Sequence, residues 1–281
     1  MNGNGIFLVI GATGQQGGSV VCSLLNRGMQ VRTLVRDSRS DAAIGLAEKG
    51  VELVVGDLCD KASLVTAMNG VSGVFAMTHF IEGPEVEVIQ GKTMADAASE
   101  AGVPHLVFSS VACADAGTGI PHFESKWAIE QYIEQLGLPA TVFRPAWFMD
   151  NFYTYFAPAD NGTVIMPLPG DCPLDLVAVQ DIGEMVVEAF VDPERYLGVS
   201  LDLVSETLTV SEAVEILSKQ RGVALQHVEV PVDEVISMLG ESVATMFRWQ
   251  SEGGHPLNLA ELKEQYPFKL ISFKELVAQR G

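Results

Sequence analysis

A chain of 281 residues with 48% hydrophobic and 19% charged residues has enough length for a sizeable core and is too apolar to be disordered. Its 36 acidic against 17 basic residues give a formal net charge of -19, a field that repels polyanions and argues against direct nucleic-acid binding. Cys22, Cys59, Cys113 and Cys172 are far apart, with no Cys-x-x-Cys pair and no histidine at ligand spacing, so neither a metal site nor a disulfide framework is expected and a reducing cytoplasmic setting is.

In chain order, the first half alternates short β-branched runs with helical stretches: IFLVIGA, QVRTLVR, VELVVGD, GVFAMTH, HLVFSS and ATVFRPA read as strands. Near-continuous apolar runs of this kind suit a parallel sheet buried on both faces, so an α/β fold is expected. Near residue 150 the rhythm changes without an obvious linker, which divides the chain into a domain over 1–150 and a smaller one over 151–281. NGTVIMPLPGDCPLDLVAV reads as irregular chain and short strands, and a helix follows in VQDIGEMVVEAF. Thr209 three residues before Glu212 and Ser272 three before Glu275 are capping-box spacings that open two further helices. PVDEVISML and NLAELKEQY supply two more. No window approaches the ~20 apolar residues of a membrane span, and the N-terminus lacks a charged region followed by a long apolar run, so an unprocessed soluble protein is expected.

The first strand runs into GATGQQGGSV and then into a helix, so Gly11, Gly14 and Gly17 form a Gly-x-x-Gly-x-x-Gly turn, with Thr13, Gln15 and Gln16 between them. A glycine turn that opens the first helix of a βαβ series lets backbone approach a pyrophosphate, whose charge the free amides and helix dipole favour. At the end of the second strand, Arg36 offers a planar fork suited to a 2′-phosphate, which favours NADP(H) over NAD(H). Asp37 is the competing reading, because a shift of one residue puts an acid at the ribose position; Arg39 is read as a surface residue. Asp57 and Leu58 follow the third strand and are candidates to meet adenine, with helix capping as the other reading of Asp57. Thr78 and His79 end the fourth strand beside the point where a dinucleotide would lie.

The segments GATGQQGGSV, VFSS, HFESKWAIEQYI, FRPAWFMDNF, MPLPGDCPLDLVAVQDIG and MFRWQSEGG together resemble the NmrA-like family of atypical short-chain dehydrogenase/reductase relatives, most closely its HSCARG-like NADPH-sensor branch. The resemblance spans essentially the whole chain. It implies a Rossmann-type, doubly wound parallel sheet with an added smaller α/β domain, and NADP(H) in a cleft between them. It also implies two functional classes: redox sensors that act through a regulatory protein partner, and reductases of small carbonyl, quinone or imine substrates. A homodimer is the oligomer left open.

Typical short-chain reductases combine a serine with Tyr-x-x-x-Lys, the tyrosine donating a proton and the lysine gripping the nicotinamide ribose. Here Lys126 matches the lysine, and Ser109 and Ser110 are candidates for the serine. His122 stands at the tyrosine's place. Spacing of four puts His122 and Lys126 on one helical face, where His122 either replaces the proton donor or lines the site, with the lysine cation disfavouring imidazolium. The resemblance further places Pro145, Trp147, Phe148 and Asn151 along the nicotinamide end; Met246 to Trp249 are expected as the opposite wall, as a lid or as packing of the second domain. Glu124 and Glu130 are expected to be solvated, and no catalytic role falls to His105, His227 or His255. The absent tyrosine favours the sensor, which is the expected role, and the aromatic residues of the cleft wall favour the reductase, which is the alternative.

Overall fold

The computed structural model describes residues 5–254, 257, 259–266 and 269–280. His255 lies outside the described residues. The chain forms two compact units: one of residues 1–117, 122–144 and 182–201, the other of 118–121, 145–181 and 202–281.

The first unit opens with β1 (Ile6–Ile10), α1 (Gln15–Asn26), β2 (Gln30–Val35), α2 (Asp41–Glu48), β3 (Glu52–Val55), α3 (Lys61–Met68) and β4 (Gly73–Met77). It continues through α4 (Pro84–Glu100), β5 (Leu106–Ser109), α5 (Pro121–Gln135) and β6 (Ala140–Pro145). Strand pairing gives a seven-stranded sheet in the order β10-β6-β5-β4-β1-β2-β3, where β10 is Ser200–Leu203. Pairs β1·β2, β1·β4, β2·β3, β4·β5 and β5·β6 are all parallel. The order reverses between β1 and β4, and in such sheets ligands bind outside the carboxyl ends of the strands at that point.

The β-branched runs expected from the sequence are strands; β1, β4, β5 and β6 are buried on both faces, while β3 at the sheet edge leaves Glu52 and Val55 exposed. On one face, Leu8, Val74, Leu106 and Val142 pack with Leu64, Met94 and Ile129 from α3, α4 and α5. The helices begin where polar side chains satisfy first-turn amides: Ser40 accepts from the Ala43 amide at α2 and Asp60 from that of Ala62 at α3. Asp57 is therefore not the cap of α3; its Oδ1 accepts from the Cys59 amide instead. On α4, a Cβ added at Gly91 would lie 2.4 Å from Ile129, so the missing side chain is what lets α4 and α5 close on each other.

A segment from far along the chain completes this unit. The helix α6 (Val179–Val191) lays its residues from Ile182 onward against α1. A Cβ at Gly183 would stand 2.5 Å from Ser19 Oγ and 2.8 Å from its carbonyl oxygen, while Ser23 Oγ donates to Glu184 at 2.8 Å and Arg27 to Glu188 at 2.7 Å. Phe190 meets Phe7 on the sheet with ring centroids 4.8 Å apart. The short α7 (Pro193–Tyr196) leads into β10.

The second unit holds β7 (Trp147–Phe148), β8 (Thr163–Met166), β9 (Pro173–Val177), β11 (Glu206–Thr209) and β12 (Gln226–Glu229). They form a three-stranded sheet β11-β9-β7 and a two-stranded sheet β12-β8. Its helices are α8 (Val210–Arg221), α9 (Val232–Leu239), α10 (Glu241–Ser251), α11 (Leu259–Gln265) and α12 (Phe273–Arg280). Both expected capping boxes are present: Thr209 with Glu212, and Ser272 with Glu275. Phe152, Leu176, Leu217, Phe247 and Phe273 are among the buried side chains of one apolar core. Phe247 thus sits where the packing reading of its segment places it. No described helix is long and apolar enough to cross a membrane.

Candidate functional site

The turn after β1 is built for close approach. Gly11 has φ +85°, and a Cβ at Gly17 would fall 2.2 Å from the Gly11 carbonyl oxygen, a clash with backbone that no side-chain motion relieves. No side chain caps α1 at Gly14, and helix geometry leaves the first-turn amides without intrahelical acceptors. Together with the dipole this is a cradle for an anion. Gln16 is fixed from the sheet, where Ser109 Oγ donates to its Oε1 at 2.6 Å. A cavity of about 330 Å³ opens beside the loop, lined in part by Thr13, Gly14, Cys22, Gly45 and Lys49.

Arg36 is exposed one residue beyond β2. Asp37, its competitor for the ribose position, accepts from the Arg39 amide at 2.9 Å and faces the Arg39 guanidinium at 3.4 Å. Asp57 is exposed at the end of β3, and Leu58 packs against the first unit's core.

The end of β4 meets α4 and α5 in a buried polar cluster. Lys126 Nζ donates to the Thr78 carbonyl at 2.8 Å and to Thr78 Oγ1 at 2.9 Å, and lies 3.0 Å from Glu87 Oε1. Thr78 Oγ1 donates to Glu87 Oε1 at 2.9 Å, and Ser125 Oγ donates to the other carboxylate oxygen. Glu87 is fully buried and Lys126 is 7% exposed, so each charge is tolerated only because the other is there. Burial pulls the Lys126 ammonium's pKa down, while Glu87 pulls it back up.

His122 is 7% exposed and lies between two rings, stacked on Phe80 at 4.7 Å and edge-on to Phe123 at 4.8 Å. Burial lowers its pKa from 6.5 to about 4; Glu87 opposes this, and Lys126 adds a smaller push in the same direction. The imidazole is therefore neutral at pH 7, chiefly through desolvation rather than through its lysine neighbour. His79 is also held below its ordinary value, by burial first and then by Lys126.

A second buried cluster lies under Ser110. Its Oγ donates to Glu130, whose two carboxylate oxygens also accept from Arg144 Nε and Nη2, the latter at 2.7 Å. Arg144 Nη1 donates to Asp115 at 2.6 Å, and the guanidinium stands over the Trp127 ring at 5.5 Å. This corrects the expectation for Glu130: at 5% exposure it is not solvated but is the inner partner of a buried arginine. The loop that follows Ser110 contains Cys113, at φ 62° the one non-glycine residue with positive φ among the described residues.

The structure thus brings Ser109 to the glycine loop through Gln16, and Thr78 to Lys126. Pro145, Trp147, Phe148 and Asn151 belong to the second unit. There Trp147 packs on Phe152 and Phe156, and the Asn151 carbonyl accepts from the Phe156 amide. Sequence reasoning missed Glu87 and Asp115 altogether. The signal for Arg144 and its partners was a lone arginine in the apolar strand ATVFRP, which demands a buried acid.

Residues 4–274 match the NmrA-like family. An NmrA-like family domain-containing oxidoreductase, FrzB, from Cladobotryum sp is 32% identical over 286 residues, covering 89% of this chain and 85% of that protein. The crystal structure of Citrobacter sp. triphenylmethane reductase complexed with NADP(H) superposes with a TM-score of 0.83 at 26% identity, covering 98% of this chain and 99% of that one. NmrA, a negative transcriptional regulator crystallised with NADP, shares the fold with a TM-score of 0.80 at 23% identity, over 99% and 95% of the two chains. With the family model matching residues 4–274 and a relative 32% identical over 89% of the chain, this chain belongs to the NmrA-like family.

Proposed function

We propose that this protein is an NADP(H)-dependent oxidoreductase whose hydride acceptor is a small quinone, its reduced oxygen taking a proton from water, or an imine in its iminium form, which becomes a neutral amine on hydride addition, so that no protein side chain supplies a proton. The observation that carries the cofactor is the cradle at α1, where a Cβ on Gly17 would fill the space against Gly11 and no side chain competes for the helix N-terminus. In this reading Gly11, Thr13, Gly14, Gln15, Gln16 and Gly17 hold the pyrophosphate. Arg36 holds the 2′-phosphate, since Asp37 is engaged by Arg39. Asp57 and Leu58 flank adenine, Thr78 and His79 border the nicotinamide side, and Lys126 grips ribose. When bound, the nicotinamide supplies hydride. Ser109 and Ser110 stay as polar anchors of the strand end, and His122, neutral and stacked, lines the site without acting as an acid. The oxidoreductase names of the curated relatives support this class.

A second reading, the NADPH sensor of the HSCARG-like branch acting on a protein partner, draws support from Lys126, whose donors already meet Thr78 and Glu87. The two separate by turnover. NADPH oxidation with iminium or quinone acceptors and little with simple ketones is the expected result; tight NADPH binding with no turnover on any of them removes the oxidoreductase and leaves the sensor. For the cofactor, Arg36→Ala is expected to weaken NADPH by about tenfold and NADH hardly at all, since a bidentate phosphate contact is lost. Equal losses would remove the 2′-phosphate assignment.

A further inference from the structure

We propose that Glu87 is the positioning residue for Lys126: its buried carboxylate fixes the lysine's ammonium at the end of β4, beside the glycine loop. The inference rests on the reading of Lys126 as the group that grips the cofactor. Three acceptors surround the Lys126 ammonium, the Thr78 carbonyl, Thr78 Oγ1 and Glu87 Oε1, so a ribose hydroxyl that it grips takes the place of Thr78 Oγ1, which keeps its own hydrogen bond to Glu87. Glu87 is the only full charge among them, and it organises the others. Thr78 spends its hydroxyl proton on Glu87, which turns a lone pair of the same oxygen toward Lys126. Ser125, the residue before Lys126, donates to the second carboxylate oxygen and sets the carboxylate plane.

The scaffold around the pair is equally specific. Glu87 stands in the first turn of α4, where the helix dipole favours a negative charge. One turn on, Gly91 admits Ile129, the residue three beyond Lys126, so the seam of α4 and α5 that seats Ile129 also brings carboxylate and ammonium together. Just before Thr78, Met77 lies so close to Gly11 that a Cβ there would come within 3.0 Å of its side chain. A pair buried for stability alone has no reason to sit on the strand end that touches the phosphate turn. The other titratable groups that act on Lys126 or feel its charge are Glu130 and His122 on its own helix and His79 after β4.

The test measures NADPH affinity of the full-length protein and of Glu87→Gln, Glu87→Asp, Lys126→Met and Glu87→Gln/Lys126→Met, from about pH 6 to about pH 9. Glu87→Gln is expected to weaken NADPH at least about tenfold, with the loss growing as pH rises, because a buried lysine without its acid gives up its proton. In the Lys126→Met background the same change should have no further effect, since the two residues act as one unit. An equal loss in that background, or no loss in Glu87→Gln, overturns the proposal. Should Glu87→Gln not fold, Glu87→Asp carries the test: withdrawing the carboxylate by one methylene is expected to weaken NADPH several-fold, and unchanged affinity overturns the role. If the wild-type protein does not bind NADPH, the cofactor reading falls on its own. The Glu87 role is then read from the Lys126 Cε resonance of carbon-13-labelled protein, assigned with Lys126→Met. Its titration midpoint is expected to drop in Glu87→Gln, and an unchanged midpoint overturns it.

Discussion

The two units bury charge in different ways. In the first, Lys126 faces Glu87 and Arg144 faces Glu130, ion against ion, both pairs drawn to the carboxyl ends of the sheet strands. In the second, beside the Asp150–Arg280 pair, Asp181 is 4% exposed and is held by neutral donors, the Ser205 hydroxyl at 2.7 Å and the Ile271 amide at 3.1 Å. In an opposed pair each partner offsets part of the other's desolvation, as Glu87 does for Lys126 and Arg144 does for Glu130. A buried acid with only neutral partners stays titratable: burial raises the Asp181 pKa from 3.8 to about 6. The first arrangement suits a site that needs a fixed cation. The second suits a fastener for the segment that carries Ile271 and α12.

Breaking the first arrangement should have the largest effect. Arg144→Met leaves Glu130 buried without its partner and is expected to cost about 3–5 kcal/mol in urea unfolding, most of which returns when Glu130 is also made apolar. Next comes pH, where Asp181 and the buried histidines act with opposite signs. Asp181 binds its proton more tightly folded than unfolded, so its contribution grows as pH falls from above about 6 toward 3.8. Asp181→Asn should raise neutral-pH stability by up to about 3 kcal/mol and flatten that rise. His105 and His122, each lowered to about 4 from 6.5 by burial, contribute stability above pH 6.5 that is lost as pH falls through 4. Hydrogen exchange of β5 and β9 amides, followed across that window, reads the two signs separately; parallel loss in both strands would contradict the contrast. The smallest effect belongs to the half-exposed fastener. Arg280 reaches Asp150 from α12, and because its side chain is 39% exposed, Arg280→Met should cost no more than about 1 kcal/mol.

What could be read from the sequence was what is local. The strands of the first unit, the glycine turn and the two capping boxes are written in consecutive residues, and each is where the pattern places it. Lys126 was legible through its spacing from His122. The clusters were not, because their partners are distant in sequence: Lys126 meets Glu87 across β5, and Arg144 meets Asp115, 29 residues away. Glu87 reads as one more solvated acid in PEVEV, and Glu130 misled in the same way, since an acid on a helix gives no local sign of which face the sheet will cover. Gly91 was the available hint, an interior helix glycine whose absent side chain marks where another element presses in.

The contact of Gly183 with Ser19 bears on how the protein is made. The helix that presents the phosphate turn is braced by residues from 182 onward, and the edge of the large sheet is finished by β10 at residues 200–203. A ribosome that has delivered only the first 150 residues has therefore made the whole glycine turn and six of the seven sheet strands, with β6 as an unpaired edge and α1 without its brace. Until some fifty more residues emerge, as the chain passes through part of the second unit, the nascent chain has an open sheet edge for chaperones to cover.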